Sequence, residues 1–278
     1  MKKLALVLSG GAAKGYAHIG VLKVLEKNNI KPDLIVGTSM GALVGGMYAS
    51  GKSCDELIKV AQDFNSLGNF SLSGTLFRGH LLNTRKVDKV LMQQLGDFKQ
   101  ENCKIPFVAV ATELKTGKET HLTTGLLRDN IRASISIPGV FKVKQIDGKG
   151  YVDGGLCNNM AEDVAFNLMP DAVIVSVDCI GNYADQTEDL KFDTIENLLN
   201  ASTILTQNIV KLKKRYAQVR IVISQPDISQ LDFKLKKVNL SVAYGEAQTL
   251  KNIEQIKMLL NEETNEDIKS TKTKRKKN

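Results

Sequence analysis

Leu34-Ile35-Val36-Gly37-Thr38-Ser39-Met40-Gly41-Ala42-Leu43-Val44-Gly45-Gly46-Met47-Tyr48-Ala49 is the stretch that decides the fold. Its first three residues form an apolar run entered through Pro32 and left through Gly37, which reads as a short buried strand. From Met40 to Ala49 the residues are small and apolar, and read as a helix. Between the two lies Gly37-Thr38-Ser39-Met40-Gly41, a Gly-x-Ser-x-Gly sequence in the strand-turn-helix setting that gives this pattern mechanical meaning. Small residues on either side let the backbone fold sharply. The Ser39 hydroxyl is then held clear of the main chain, at the carboxyl end of a strand and at a helix N-terminus whose dipole favours negative charge. Ser39 is a candidate nucleophile; for the five residues alone, a tight packing turn is the competing reading.

The pattern also occurs upstream. Residues 4–8 are an apolar run ended by Ser9-Gly10-Gly11-Ala12-Ala13-Lys14-Gly15, and residues 16–27 carry Ile19, Val21, Leu22, Val24 and Leu25 at helical spacing. In a parallel sheet the carboxyl ends of both strands share one rim, so this loop faces Ser39. Transfer of an acyl group builds negative charge on the former carbonyl oxygen, and a preset backbone N–H aimed at it is worth roughly 3–4 kcal/mol. The amides of Gly10, Gly11 and Ala12 are the candidate donors, with that of Met40 as another. A dinucleotide or phosphate cradle is the rival, since Gly10, Ala12 and Gly15 occupy the positions of Gly-x-Gly-x-x-Gly. The match is poor. The middle glycine is Ala12, Asp33 precedes the second strand instead of following it, and Gly15 is followed by Tyr16 where a Walker-type loop needs lysine.

Downstream, residues 106–112 and 119–123 flank Lys115-Thr116-Gly117 as a hairpin, and residues 141–146 and 150–152 flank Asp147-Gly148 as another. Residues 172–178 and 219–224 are two further strands. A long helix between them carries Phe192, Ile195, Leu198, Leu199, Leu205, Ile209, Leu212 and Tyr216, with Lys211, Lys213, Lys214 and Arg215 in its last turn; it is expected to pack on the core. About six strands alternating with helices predict an α/β chain with a mostly parallel sheet.

Composition bounds the rest. The chain has 278 residues, 30.5 kDa, 42% hydrophobic and 24% charged residues, an ordinary balance for one large globular domain. The apolar start after Met1-Lys2-Lys3 stops at Ser9, short of the roughly 7–15 residues of a signal h-region, and no run approaches the roughly 18 of a membrane span. A cytoplasmic protein is expected. Cys54, Cys103, Cys157 and Cys179 show neither metal-ligand spacing nor a disulfide pattern, so no metal and no cofactor is expected. Of the net charge of +8, six positive residues fall within the last ten, leaving +2 for the rest. Residues 1–262 are therefore read as the folded domain and 263–278 as a basic, disordered tail with no specific nucleic-acid partner.

A serine nucleophile needs a base. Of three histidines, His18 lies one turn into the first helix, His80 in a loop and His121 in a strand; none ends a strand beyond Ser39. The remaining candidate is Asp153 in Tyr151-Val152-Asp153-Gly154-Gly155. Asp-Gly-Gly alone is a turn, but Asp147-Gly148 already turns that hairpin.

With these segments in order, the chain resembles the bacterial patatin-like phospholipases. The resemblance rests on the glycine-rich loop from Gly10 to Gly15, the elbow from Gly37 to Gly41, and Asp153-Gly154-Gly155. The approach Arg132-Ala133-Ser134-Ile135-Ser136-Ile137-Pro138-Gly139-Val140-Phe141 adds to it, so the likeness spans about residues 4–180. It implies a three-layer α/β/α sandwich, a Ser–Asp dyad without histidine, and hydrolysis of phospholipid or lysophospholipid acyl esters. Ser39 would attack, Asp153 would accept the proton, and the amides of Gly10, Gly11 and Ala12 would hold the oxyanion. Two departures stand out: Ala12 where many members have glycine, and Cys157-Asn158-Asn159-Met160-Ala161 without the usual Asn-x-Pro proline. Lys14 keeps the basic residue of the loop.

An acyltransferase on the same scaffold and a nucleotide-binding module remain the alternatives. Leu67, Phe70, Leu72, Leu76, Phe77, Leu81 and Leu82, among glycines and serines, suggest either a flap over the acyl pocket or a membrane contact, with Arg78 and Arg85 near lipid phosphates, or equally a loop that packs into the core. Together with the tail this gives the expectation of peripheral contact with an anionic membrane surface.

Overall fold

Five strands form the parallel part of the sheet: β1 (Leu4–Leu8), β2 (Leu34–Thr38), β3 (Phe107–Glu113), β7 (Val173–Asp178) and β8 (Val219–Val222). The inner ones are buried on both faces and read as near-continuous apolar runs, as parallel strands between helical layers must, while the edge strand β8 exposes Val222. The structure is a computed structural model and describes residues 1–66, 84–181, 194–229 and 233–262. Among these residues eight strands form one sheet. The parallel set runs β3-β2-β1-β7-β8, and β4 (Glu119–Leu122), β5 (Lys144–Ile146) and β6 (Lys149–Asp153) add antiparallel pairings at the β3 end. The mostly parallel sheet is as expected, and its eight strands fall on the eight segments that read as strands in the sequence, against the count of about six.

Strand periodicity assigns the layers. Leu4, Leu6 and Leu8 point into a core shared with α1 (Ala17–Lys27), α2 (Met40–Ala49), α3 (Cys54–Ser66), α4 (Thr84–Leu95), α5 (Leu127–Ser134) and α9 (Leu235–Asn261). Ala5 and Val7 point into a smaller core shared with Val164 and Ala165 of α7 (Glu162–Leu168) and Val210 of α8 (Thr194–Leu212). The result is an α/β/α sandwich of unequal layers.

The register around β3 positions the site. β4 covers one edge of β3 along 109–112, while β2 pairs with 107–110 and β6 with 111–113. A strand has two edges, so β2 and β6 share the other. They run toward each other and meet: Thr38 lies opposite Val110, and Asp153 opposite the next residue, Ala111. The carboxyl ends of two strands 115 positions apart in sequence numbering thus abut on one edge.

The long helix ends at Leu212, so Lys213, Lys214 and Arg215 lie beyond its last turn; Lys213 instead reaches Glu119 at 3.2 Å and Asp163 at 2.9 Å. Nor does its apolar periodicity face the core throughout, because Thr203, Thr206 and Val210 are buried whereas Leu205 and Leu212 are exposed. The suggested flap and the tail, with His80 and Phe192, lie outside the described residues; Arg85 is the second residue of α4 and is exposed.

Candidate active site

Ser39 sits on the turn between β2 and α2 with φ 54° and ψ −122°, a conformation that costs a non-glycine residue roughly 1–3 kcal/mol. Packing holds it there. Gly41 lets α2 press onto β1: a Cβ at that position would lie 2.2 Å from the Leu8 carbonyl oxygen and 2.6 Å from that of Ser9. The Ser39 N–H donates to Ser134 Oγ at 2.9 Å, and the Ser134 hydroxyl donates to the Val110 carbonyl at 2.6 Å. Gly37, the last residue but one of β2, lets the strand end press against Gly41 and Ala42 of α2, and Gly15 packs against Met40.

Asp153 closes the pair. The Ser39 hydroxyl donates to its Oδ2 at 2.6 Å, and the Gly155 N–H donates to its Oδ1 at 2.8 Å. Its own N–H donates to the Ser136 carbonyl at 3.0 Å, and the Thr112 hydroxyl donates to its carbonyl at 3.0 Å. Gly154 allows the turn to lie on β3, where a Cβ would approach the Val110 oxygen to 2.2 Å. Ser39 and Asp153 are each 6% exposed. Burial pushes the Asp153 carboxyl up to about 6, against the opposing effect of the bonds from Ser39 and Gly155. A carboxylate raised in this way is a better proton acceptor than one at its ordinary 3.9.

The glycine loop lies on the neighbouring strand end, with Leu8 opposite Gly37. It turns at Ala12, which takes φ 46°, into a short 3₁₀ turn (Ala12–Tyr16). The rear of the loop is tied to the body by the Lys14 carbonyl, which accepts from Gln225 Nε2 and Ser241 Oγ. Burial brings the Lys14 ammonium down to about 8. The structure amends one expectation here. The Gly10 N–H donates to Asn159 Oδ1 at 3.2 Å, so of the four candidate donor amides this one is already engaged.

Of the histidines, neither His18 nor His121 contacts Ser39. His18 Nε2 bonds the Ser9 carbonyl at 2.8 Å, and burial lowers the ring to about 4. His121 pairs with Glu119 at 2.7 Å on β4.

Sequence reasoning missed the supporting residues Ser134, Ser136, Asn158 and Asn159. The Thr38 hydroxyl donates to the Asn158 carbonyl at 2.9 Å, and Asn158 Nδ2 reaches Glu119 and Asp163. Burial acts to raise Glu119, but bonds from His121, Asn158 and Lys213 hold it down at about 2. The signal was present in the approach segment 132–141 and in the paired asparagines, but nothing local tells which atoms they meet.

A cavity of about 50 Å³ lies over the dyad, lined by Gly11, Ala12, Ser39, Pro138, Asp153 and Asn159 among others. A larger groove of about 820 Å³, lined by Lys3, Lys31, Asp33, Lys104 and Cys103 among others, lies at the amino ends of the strands. That is the wrong edge for an α/β site. Burial also pushes its Cys103 thiol up to about 11, which leaves it a poor nucleophile. Among the described residues no group of His, Cys, Asp and Glu could hold a metal ion, and no helix is long and apolar enough to cross a membrane.

The family model described as patatin-like phospholipase matches residues 6–166. The chain belongs to the patatin-like phospholipase family. It is 33% identical over 199 residues to an NTE family protein of Mycobacterium bovis, covering 71% of this chain and 55% of that one. It is 29% identical over 198 residues to a lysophospholipase of Aspergillus fumigatus, covering 70% of this chain and 13% of that one. The chain thus spans about half, or much less, of the curated relatives it matches. Among solved structures, VipD from Legionella pneumophila superposes with a TM-score of 0.59 at 12% identity, over 91% of this chain and 67% of that one; this likeness concerns the fold.

Proposed function

We propose that this chain hydrolyses acyl esters of phospholipids or lysophospholipids through Ser39 and Asp153. The observation that carries the reading is the 2.6 Å bond from the Ser39 hydroxyl to a carboxylate that burial has raised to about 6. Ser39 Oγ attacks the acyl carbon as its proton passes to Asp153 Oδ2, and the carbonyl oxygen becomes an oxyanion facing the N–H groups of Gly11, Ala12 and Met40. Collapse of this intermediate releases the alcohol, which takes the proton from Asp153, and leaves acyl-Ser39. Water then attacks the acyl-enzyme, again giving a proton to Asp153, and the carboxylic acid leaves with Ser39 restored. Membership in the patatin-like family supports an acyl-ester substrate, and the name of the Aspergillus relative supports a lysophospholipid.

The test is release of fatty acid from lysophosphatidylcholine, and from phosphatidylcholine in mixed micelles, by wild type and Ser39→Ala. Release by wild type alone supports the reading. Equal release by both proteins, or none by either, contradicts it.

A further inference from the structure

Asn159 has half of its amide in use. Its Oδ1 accepts the Gly10 N–H, and the side chain is buried at 4% exposure. That bond fixes which way the amide points, because an N–H can be met only by the oxygen. Nδ2 therefore points away from Gly10, and among the described residues it donates to no protein acceptor. It is also absent from the sealed polar atoms without a partner, which are Tyr16 Oη, Asn158 Oδ1 and Gln207 Nε2; Nδ2 is open to the cavity that Asn159 lines with Ser39 and Asp153.

The side chain lies close to both halves of the site. A Cβ on Gly10 would lie 2.4 Å from Asn159 Oδ1 and 3.0 Å from Ser39 Cβ, and one on Gly155 would lie 3.1 Å from both Asn159 Oδ1 and Asp153 Oδ1. The amide is thus wedged between the glycine loop and the Asp153 turn.

Resting on the hydrolase reading above, we infer that Asn159 clasps the glycine loop through Oδ1 and donates through Nδ2 to the substrate oxygen that becomes the oxyanion. It removes Gly10 from the row of donors and supplies a side-chain donor in its place. The second half of the amide is spent only when charge develops on that oxygen, which is the condition for raising kcat rather than tightening binding.

Asn159→Asp separates the two roles. A carboxylate still accepts the Gly10 N–H, but it has no N–H to give and places a second negative charge beside Asp153. The expected result with p-nitrophenyl butyrate is a fall in kcat of about 10²–10³-fold, little change in KM, a Tm lowered at pH 8 by the added buried charge, and an acid limb moved to higher pH by the like charge. Fluorophosphonate labelling of Ser39 should slow in parallel, since it too builds charge on an oxygen. A kcat within threefold of wild type would overturn the proposal. So would a loss that appears as a raised KM with kcat retained, which marks a structural role.

Should the variant fail to fold, wild type decides. The Asn159 side-chain amide resonances of the 15N-labelled protein should shift downfield when the phosphonate adduct forms; unmoved resonances would overturn the proposal. Wild type that labels at Ser39, with Asn159 variants that label as fast, would remove Asn159 alone. Wild type that does not label would remove the hydrolase reading as well.

Discussion

Thr38 and Asp153 occupy neighbouring positions along one edge of β3, opposite Val110 and Ala111. Ser39 follows the first directly, and Asp153 is the second, so the hydrogen-bonded pair is set by sheet register rather than by loops. β-sheet register is quantised by the pleat, and a slip of one residue would turn Asp153 to the opposite face. This is how a histidine-free pair can be held at 2.6 Å. It also makes the acceptor a buried group, with consequences for stability and pH dependence.

Asp153→Asn should inactivate the protein and stabilise it. Asparagine can accept the Gly155 N–H and donate to Ser39, while the buried charge is gone. Because the carboxyl is raised from 3.8 to about 6 on folding, its contribution to stability is fully present below about pH 4 and lost as pH rises through about 6. Relative to wild type, the variant should gain on the order of 2–3 kcal/mol at pH 8, and the gain should vanish near pH 4. Urea unfolding at both pH values measures it; an equal effect at both would contradict the burial of the charge.

For the same reason the rate should fall on the acid side. Protonated Asp153 cannot take the Ser39 proton, so kcat/KM for a soluble ester should drop as pH falls through about 6, and the same acid limb should persist in His121→Gln. A flat profile down to pH 4.5 would speak against Asp153 as the acceptor.

Ala12 holds φ 46° in a loop where glycine is strain-free. Ala12→Gly should therefore relieve about 1 kcal/mol and keep the amide, raising Tm by a few degrees at most with activity retained. Loss of stability would show that the Ala12 methyl packs better than its backbone suffers.

Ser134 accepts from the Ser39 N–H and donates to the Val110 carbonyl, all buried. Ser134→Ala leaves both groups unpaired. It should cost about 1–3 kcal/mol in denaturant unfolding and lower kcat more than KM, because the elbow loses its tie to β3. Unchanged stability would mean that the strained turn is held by packing alone.

Much of this site could be read in the sequence because two of its parts are local. Glycines around Ser39 and in the loop from Gly10 to Gly15 mark sharp turns after apolar runs, and parallel strands place both turns on one rim. Asp153 could be singled out because Asp147-Gly148 had already turned the hairpin. What stayed hidden depends on distant register: that β2 and β6 meet on one edge of β3, that Ser134 and Ser136 pin the two halves, and that Asn159 takes the Gly10 amide across 149 positions. The α8 helix misled for a different reason. Its leucines repeat at helical spacing, yet the face that packs carries threonines, and Lys213 leaves the helix to meet Glu119 and Asp163.

The most direct test is intact-mass detection of a fluorophosphonate adduct, mapped by peptide sequencing, on wild type, Ser39→Ala and Asp153→Asn. One adduct on Ser39 in wild type, none in Ser39→Ala, and labelling slowed by about 10³-fold or more in Asp153→Asn is the predicted result. An adduct on any other residue, or labelling of Asp153→Asn at the wild-type rate, would contradict the account.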